Sequence, residues 1–176
     1  MSIKDYIKSF ADFPVEGIDF KDIAGLCAEP EGFQLANDFF YSAAVAHIGD
    51  VKLIGIDARG FPFAAVLADR LEAPLILARK AGKLPGLCYS VEYELEYGSA
   101  NVEIQASSIT KGDNVIIIDD LMATGGTMNA TIDLVQNMGG NVLKCLCLID
   151  LPKLGGSSSL EERNISFHRL LALPKL

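Results

Sequence analysis

Four short apolar runs, "VKLIGID", "APLILARK", "NVIIIDD" and "NVLKCLCLID", recur along the chain and leave few folds open to it. Each run is continuous rather than alternating, the mark of a strand covered on both faces. Helical segments separate them: "EPEGFQLANDFFYSAAVAHI" before the first, with Pro30 near its start, then "GFPFAAVLADRL", then "TMNATIDLVQNM", stopped by Gly139-Gly140. This order predicts an α/β fold, a doubly wound and mainly parallel sheet with flanking helices. Such sheets bind ligands beyond the carboxyl ends of their strands. Three places follow from that rule: after Ile56, after Leu77 and after Ile118.

A chain of 176 residues suits one domain with a full core, spanning 1–176, and is short for two. Ser2 to Ala11 has the apolar spacing of a short amphipathic helix. "VEYELEYGSANVEIQ" alternates apolar and polar residues and predicts a hairpin turning at Tyr97-Gly98-Ser99. "GGSSS" reads as a loop, and "ISFHRLLAL" as a last short strand or extended tail.

Charge and cysteines narrow the class of partner. Fifteen basic and 23 acidic side chains give a formal charge of -8, which opposes non-specific binding to nucleic acid. No run approaches the roughly 20 apolar residues that cross a bilayer, and no signal-peptide core follows Met1. The expected location is therefore the cytoplasm, with no nucleic-acid or membrane partner. Cys27, Cys88, Cys145 and Cys147 form no CxxC pair and no metal-ligand spacing, so free thiols are expected. Cys145 and Cys147 fall on the same side of one buried strand.

The chemistry concentrates after Ile118, in "VIIIDDLMATGGTMN". Gly125 and Gly126 permit backbone N–H groups to converge, and the following helix adds its N-terminal donors and positive dipole end. Ala123, Thr124, Gly125, Gly126 and Thr127 thus form a phosphate cradle that is neither a Walker A loop nor GxGxxG. A Cβ at Gly125 is expected to obstruct those donors. Asp119 and Asp120 would repel the anion unless they had another task. Ribose hydroxyls donate to carboxylates, and a magnesium ion is a second possible partner. The plain alternative is an Asp pair that caps the helix start.

With its neighbours, this block resembles the type I phosphoribosyltransferases. "DFPVEGIDFKDI", "GIDARGF", "ARKAGKLPG" and "YELEYG" occur in the order and spacing of the adenine phosphoribosyltransferase branch, from about Asp12 to about Asp150. The resemblance implies a pentosyltransferase of purine salvage that converts adenine and 5-phosphoribosyl 1-pyrophosphate to AMP and pyrophosphate, with Mg2+ carried mainly by the substrate, as a homodimer. It implies an N-terminal base-binding hood at about 1–30, with Asp19, Phe20 and Lys21 at adenine, and a lid at about 83–105 that includes Tyr97. Arg59, Arg79, Lys80 and Lys83 match the pyrophosphate-binding positions. Part of that basic cluster is implied to reach a partner subunit's site. Glu96 matches the proposed acid or base at the purine, although Glu92, Glu94 and Glu96 alternate on one strand face and solvent would serve all three equally well. Two alternatives remain at this point: a purine enzyme for guanine, hypoxanthine or xanthine, and a non-catalytic regulator that senses phosphoribosyl pyrophosphate.

Overall fold

The computed structural model describes residues 2–94 and 98–174. Its centre is four parallel strands, β3 (Lys52–Ile56), β4 (Leu75–Lys80), β7 (Asn114–Met122) and β8 (Asn141–Asp150), continued at one edge by parallel β9 (Phe167–Ala172). At the other edge an antiparallel hairpin, β5 (Cys88–Glu94) and β6 (Ser99–Gln105), attaches through β6 to β4. The seven strands run in the order β5-β6-β4-β3-β7-β8-β9. A separate two-stranded ladder, β1 (Lys8–Ala11) with β2 (Asp19–Asp22), lies near the N-terminus.

Both faces of β3, β7 and β8 are buried, as their continuous apolar runs require, whereas β4 is covered on one face only and leaves Leu75 and Leu77 exposed on the other. Along β7, Ile116 and Ile118 pack with the helices α2 (Pro30–Ala44) and α3 (Phe61–Leu71), while Val115 and Ile117 face α4 (Gly126–Asn137). A strand's side chains point to opposite faces in turn, so one apolar run feeds two cores. Cys145 and Cys147 share the α4 face, fully buried, and burial pushes the Cys145 thiol up to about 12. All four cysteines are free. Pro30 opens α2 where its missing N–H costs nothing.

Two expectations from the sequence are overturned. Ser2 to Ala11 does not form one helix. A single 3-10 turn, Ile3–Tyr6, is followed by β1, which pairs Ser9 with Lys21 and Phe10 with Phe20. Pairing with β2 outweighs the helical spacing of Ile3, Tyr6, Ile7 and Phe10, because Tyr6 is already buried beside Gly32. "GGSSS", read as a loop, is most of helix α5 (Gly156–Glu162). Leu160, fully buried in the α4-side core, anchors that turn despite its poor helix formers.

Candidate active site

The carboxyl ends of β3, β4 and β7 lie side by side, with Ile56 opposite Ala78 and Gly55 opposite Ile118. The segments leaving them line three cavities that share walls.

The first, about 340 Å³, is charged. Arg59, Arg79 and Lys80 supply cations, and Asp57, Asp119 and Asp120 supply carboxylates. Asp57 pairs with Arg79 at 3.3 Å, not with Arg59. Arg59 instead sets its Nε 3.1 Å from Asp120 Oδ2, an ion pair without good hydrogen-bond alignment. Asp120 is 2% exposed, and burial raises its pKa while the Arg59 guanidinium opposes the rise. Asp119 opens onto the cavity but lies deep. Burial, then the neighbouring Asp120 charge, hold its carboxyl well above the usual carboxylate range. One Asp119 oxygen accepts from the Asp120 backbone N–H at 2.8 Å.

The second cavity, about 100 Å³, is lined by residues 121–128 together with Asp119, Tyr93 and Glu94. Gly125 caps α4 with φ +85°, a conformation open to glycine at little cost. A Cβ there would meet Gly156 Cα at 2.9 Å, so a side chain at Gly125 collides with α5 rather than with an occupant of the cradle. The expected obstruction of the donors is thus corrected: Gly125→Val would deform the loop from behind. The third cavity, about 150 Å³, is mostly apolar, with Ile18, Phe20, Leu121, Leu151 and Leu154 around it. Arg59 also borders it, its guanidinium 4.9 Å from the centroid of the Phe20 ring. Leu121 borders all three cavities.

A flat apolar slot, a carboxylate pair and an anion cradle in contact with a cationic basin can hold a planar base, a diol and two phosphate groups at once. The phosphoribosyl transferase domain family matches residues 26–167. An adenine phosphoribosyltransferase of Cereibacter sphaeroides is 44% identical over 175 residues, covering 99% of this chain and 98% of the relative. The chain belongs to the adenine phosphoribosyltransferase family. Two solved members superpose on it. The Saccharomyces cerevisiae enzyme, complexed with an imino-altritol bisphosphate and adenine, has 38% identity and a TM-score of 0.86, with 96% of each chain covered. The Trypanosoma brucei enzyme, in complex with AMP, pyrophosphate and ribose-5-phosphate, has 27% identity and a TM-score of 0.87, covering 97% of this chain and 77% of that one.

Within this family member, Arg59, Arg79, Lys80, Asp119, Asp120, Phe20 and residues 123–127 border the joined cavities. Lys83 does not; it is exposed, and its carbonyl accepts from Arg79 Nη1 at 3.4 Å. Glu96 and Tyr97 lie outside the described residues. The Asp19 and Lys21 side chains bond to each other at 2.6 Å, and the buried Lys21 ammonium also donates to Ser9 Oγ at 2.8 Å. By strand alternation they point away from the Phe20 face, so only their backbone can border the base slot. The Lys21 carbonyl accepts from Arg59 Nη1 at 3.1 Å. Sequence reading missed Tyr93 and Leu121. Tyr93 borders the cradle and the cationic basin, and its ring lies 3.1 Å from the position of a Cβ on Gly126. The inward phase of Val91 and Tyr93 in "VEYE" was the available signal.

The Asp119 pKa carries a test with two signs. Between the unfolded value, about 3.9, and the raised native value, the folded state keeps a proton that the unfolded chain has released. Stability therefore falls as pH rises through that window, and the cost is absent below it. Asp119→Asn keeps the size and removes the cost. The variant is expected to melt higher than wild type at pH 7, by about 2–4 °C per kcal/mol relieved, with the gain vanishing near pH 4, while activity drops. Melting curves from pH 4 to 8 check this; an unchanged or lower Tm at pH 7 contradicts it.

Proposed function

We propose that this chain is an adenine phosphoribosyltransferase, transferring the 5-phosphoribosyl group of phosphoribosyl pyrophosphate to N9 of adenine to give AMP and pyrophosphate in purine salvage. The observation that carries the reading is the shared wall: Leu121 and Arg59 join an apolar slot, a carboxylate pair, a cradle and a cationic basin into one continuous site. The substrates and products named for the yeast and trypanosome relatives support the same assignment.

The sugar's 5-phosphate takes the backbone donors of 123–127 and the hydroxyls of Thr124 and Thr127, at the positive end of the 12-residue α4. Asp119 and Asp120 accept from the 2- and 3-hydroxyls. Anchoring both ends of the ribose orients C1 with binding energy taken far from the reacting bond. Arg59, Arg79, Lys80 and Lys83 attract the pyrophosphate. As the C1–O bond breaks, its electron pair leaves on pyrophosphate oxygen, and positive charge develops at C1 as in glycoside chemistry. The N9 lone pair forms the new C1–N9 bond, and Glu96 manages the purine proton. Phe20 stacks on the base.

Among the described residues no group of three or more Asp, Glu, His or Cys side chains is placed to hold a metal by itself, so magnesium would meet only single carboxylates here. Asp57, Asp119 and Asp120 offer hard oxygens beside the phosphate basin, yet two of them already face arginine, which suits a metal that arrives with the substrate's phosphates. When bound it neutralises charge on the leaving pyrophosphate. The N-terminal ladder would act as the base hood and the 83–105 hairpin as the lid. A homodimer is supported by apolar side chains left open on β4 and the lid, Leu75, Leu77 and Leu87, the last 78% exposed. Among the described residues no helix is long and apolar enough to cross a membrane.

Turnover with a panel of bases tests the reading. Adenine is expected to exceed guanine and hypoxanthine by about 100-fold or more in kcat/KM, because a site paired to an exocyclic amine is left unpaired by an oxo group. Comparable rates with guanine contradict the base assignment. No turnover with any base, together with retained phosphoribosyl-pyrophosphate binding, supports the sensor instead.

A further inference from the structure

Asn129 borders none of the three cavities, yet its side chain makes three hydrogen bonds behind the cradle and spends both amide donors there. Its Nδ2 donates to the Gly125 carbonyl at 3.0 Å and to Ser159 Oγ at 2.8 Å, and its Oδ1 accepts from Arg163 Nη1 at 2.9 Å. Exchanging the amide's O and N would set oxygen against the Gly125 carbonyl, so these partners fix its orientation. The contacts close into a ring. Ser159 Oγ donates to the Gly156 carbonyl at 2.7 Å, and the Gly156 N–H donates to the Ala123 carbonyl at 3.0 Å.

Gly156 makes the contact close. A Cβ there would run into the Ala123 carbonyl oxygen and stand 2.8 Å from the Gly125 nitrogen. Helix α5 therefore presses backbone on backbone against the loop. The donors of the cradle are themselves backbone groups, and their direction depends on Gly125 staying at φ +85°.

We propose that Asn129, with Ser159 and Gly156, is a positioning unit that preorganises the 123–127 loop for the sugar's 5-phosphate. The inference rests on the reading of that loop as the 5-phosphate anchor. Donors already aimed at a ligand require no reorganisation when it binds. Without the ring, the ligand itself must order the loop, and the cost falls on phosphate affinity. Adenine, bound in the other slot, should not register it. The Arg163–Asp133 contact at 2.6 Å lies toward solvent and only steadies the arginine.

The test uses full-length Asn129→Leu, which removes all three bonds at nearly constant size, and Ser159→Ala, with Ser159→Thr as the conservative control. Calorimetry with ribose 5-phosphate is the direct readout, and KM for each substrate the second. Asn129→Leu is expected to weaken ribose 5-phosphate and raise KM for phosphoribosyl pyrophosphate by about tenfold or more. The kcat and the KM for adenine should stay within about twofold. Ser159→Ala should show the same pattern at about a third of that size, and Ser159→Thr should restore it. A purely structural role would lower Tm and the active fraction without changing ribose 5-phosphate affinity in the folded protein, and that result overturns the proposal. If Asn129→Leu fails to fold, Ser159→Ala decides, and wild-type affinity there overturns it equally. Wild-type protein that binds neither ribose 5-phosphate nor phosphoribosyl pyrophosphate would instead remove the functional reading beneath it.

Discussion

Arg59→Lys is expected to lower kcat/KM by about two orders of magnitude or more, although the formal charge is unchanged. Arg59 makes three contacts that differ in direction: Nε toward Asp120, Nη1 to the Lys21 carbonyl, and the guanidinium plane over Phe20. A lysine is a point charge on a flexible stem and can serve one of these at a time. Asp120 suffers most, because its buried Oδ2 has no aligned hydrogen-bond donor among the described residues. With Arg59 38% exposed, solvent screens part of this pair, and the larger share of the effect falls on the guanidinium fork at the phosphate basin, which a lysine does not reproduce. Lysine retains part of the attraction, which sets the expectation at the lower end. A pH profile separates this from a general loss of fold. Arg59 opposes the upward shift of Asp120, so weakening it lets that pKa rise further. The ionised form proposed to accept from ribose is then lost at a higher pH, and the acid limb of kcat/KM is expected to move upward. A folded variant with wild-type kcat/KM and an unmoved acid limb would show that Arg59 is peripheral to both cavities.

The same residue marks the boundary of what the sequence makes legible. The central strands and the turn into α4 are legible locally: the apolar run of "NVIIIDD" marks β7 and the glycines of "ATGGT" mark the start of α4, although α5 braces that loop from behind. The parallel order then brings three strand ends together by topology alone. Pairings across the fold have no such signature. Arg59 has Asp57 two residues away in sequence, and local reasoning offers that carboxylate as its partner. The fold delivers Asp120 from another strand and gives Asp57 to Arg79. For Asp19 and Lys21 the resemblance implies backbone contacts at the base, and where their side chains go has no local signature; β1 supplies Ser9 and makes them a clasp on the face opposite Phe20. In "GGSSS" the composition speaks for a loop. The helix exists because Leu160 is buried and because Gly156 can approach the cradle closely, and both are properties of the assembled core. Tyr93 was legible as an inward position and illegible as a wall of the site, since that depends on where the hairpin meets α4.

Glu96→Gln is the second large effect expected, about 100- to 10,000-fold in the chemical step, the range of a positioned acid–base group. The substitution keeps size and hydrogen bonding at the amide but cannot take up the proton that leaves the purine. Substrate affinity should therefore change little beside the rate. Glu92 and Glu94 are the internal controls. Both are exposed on β5, and the Glu92 carboxylate accepts from Ser99 Oγ across the hairpin, a structural task. Glu94 ends the strand, and it is its carbonyl that approaches the cradle, 3.2 Å from the position of a Cβ on Gly126, while the residue stays exposed. If all three glutamates were a solvated face, Glu92→Gln, Glu94→Gln and Glu96→Gln would be alike and mild. If Glu96 handles the proton, it alone stands out. The measurement must be single-turnover formation of AMP, because slow release of product in the wild type would hide part of the loss in steady-state kcat. Equal single-turnover rates for Glu96→Gln and wild type would remove Glu96 from the mechanism. The proton would then have to leave by another group, and the fold and the cradle would stand without it.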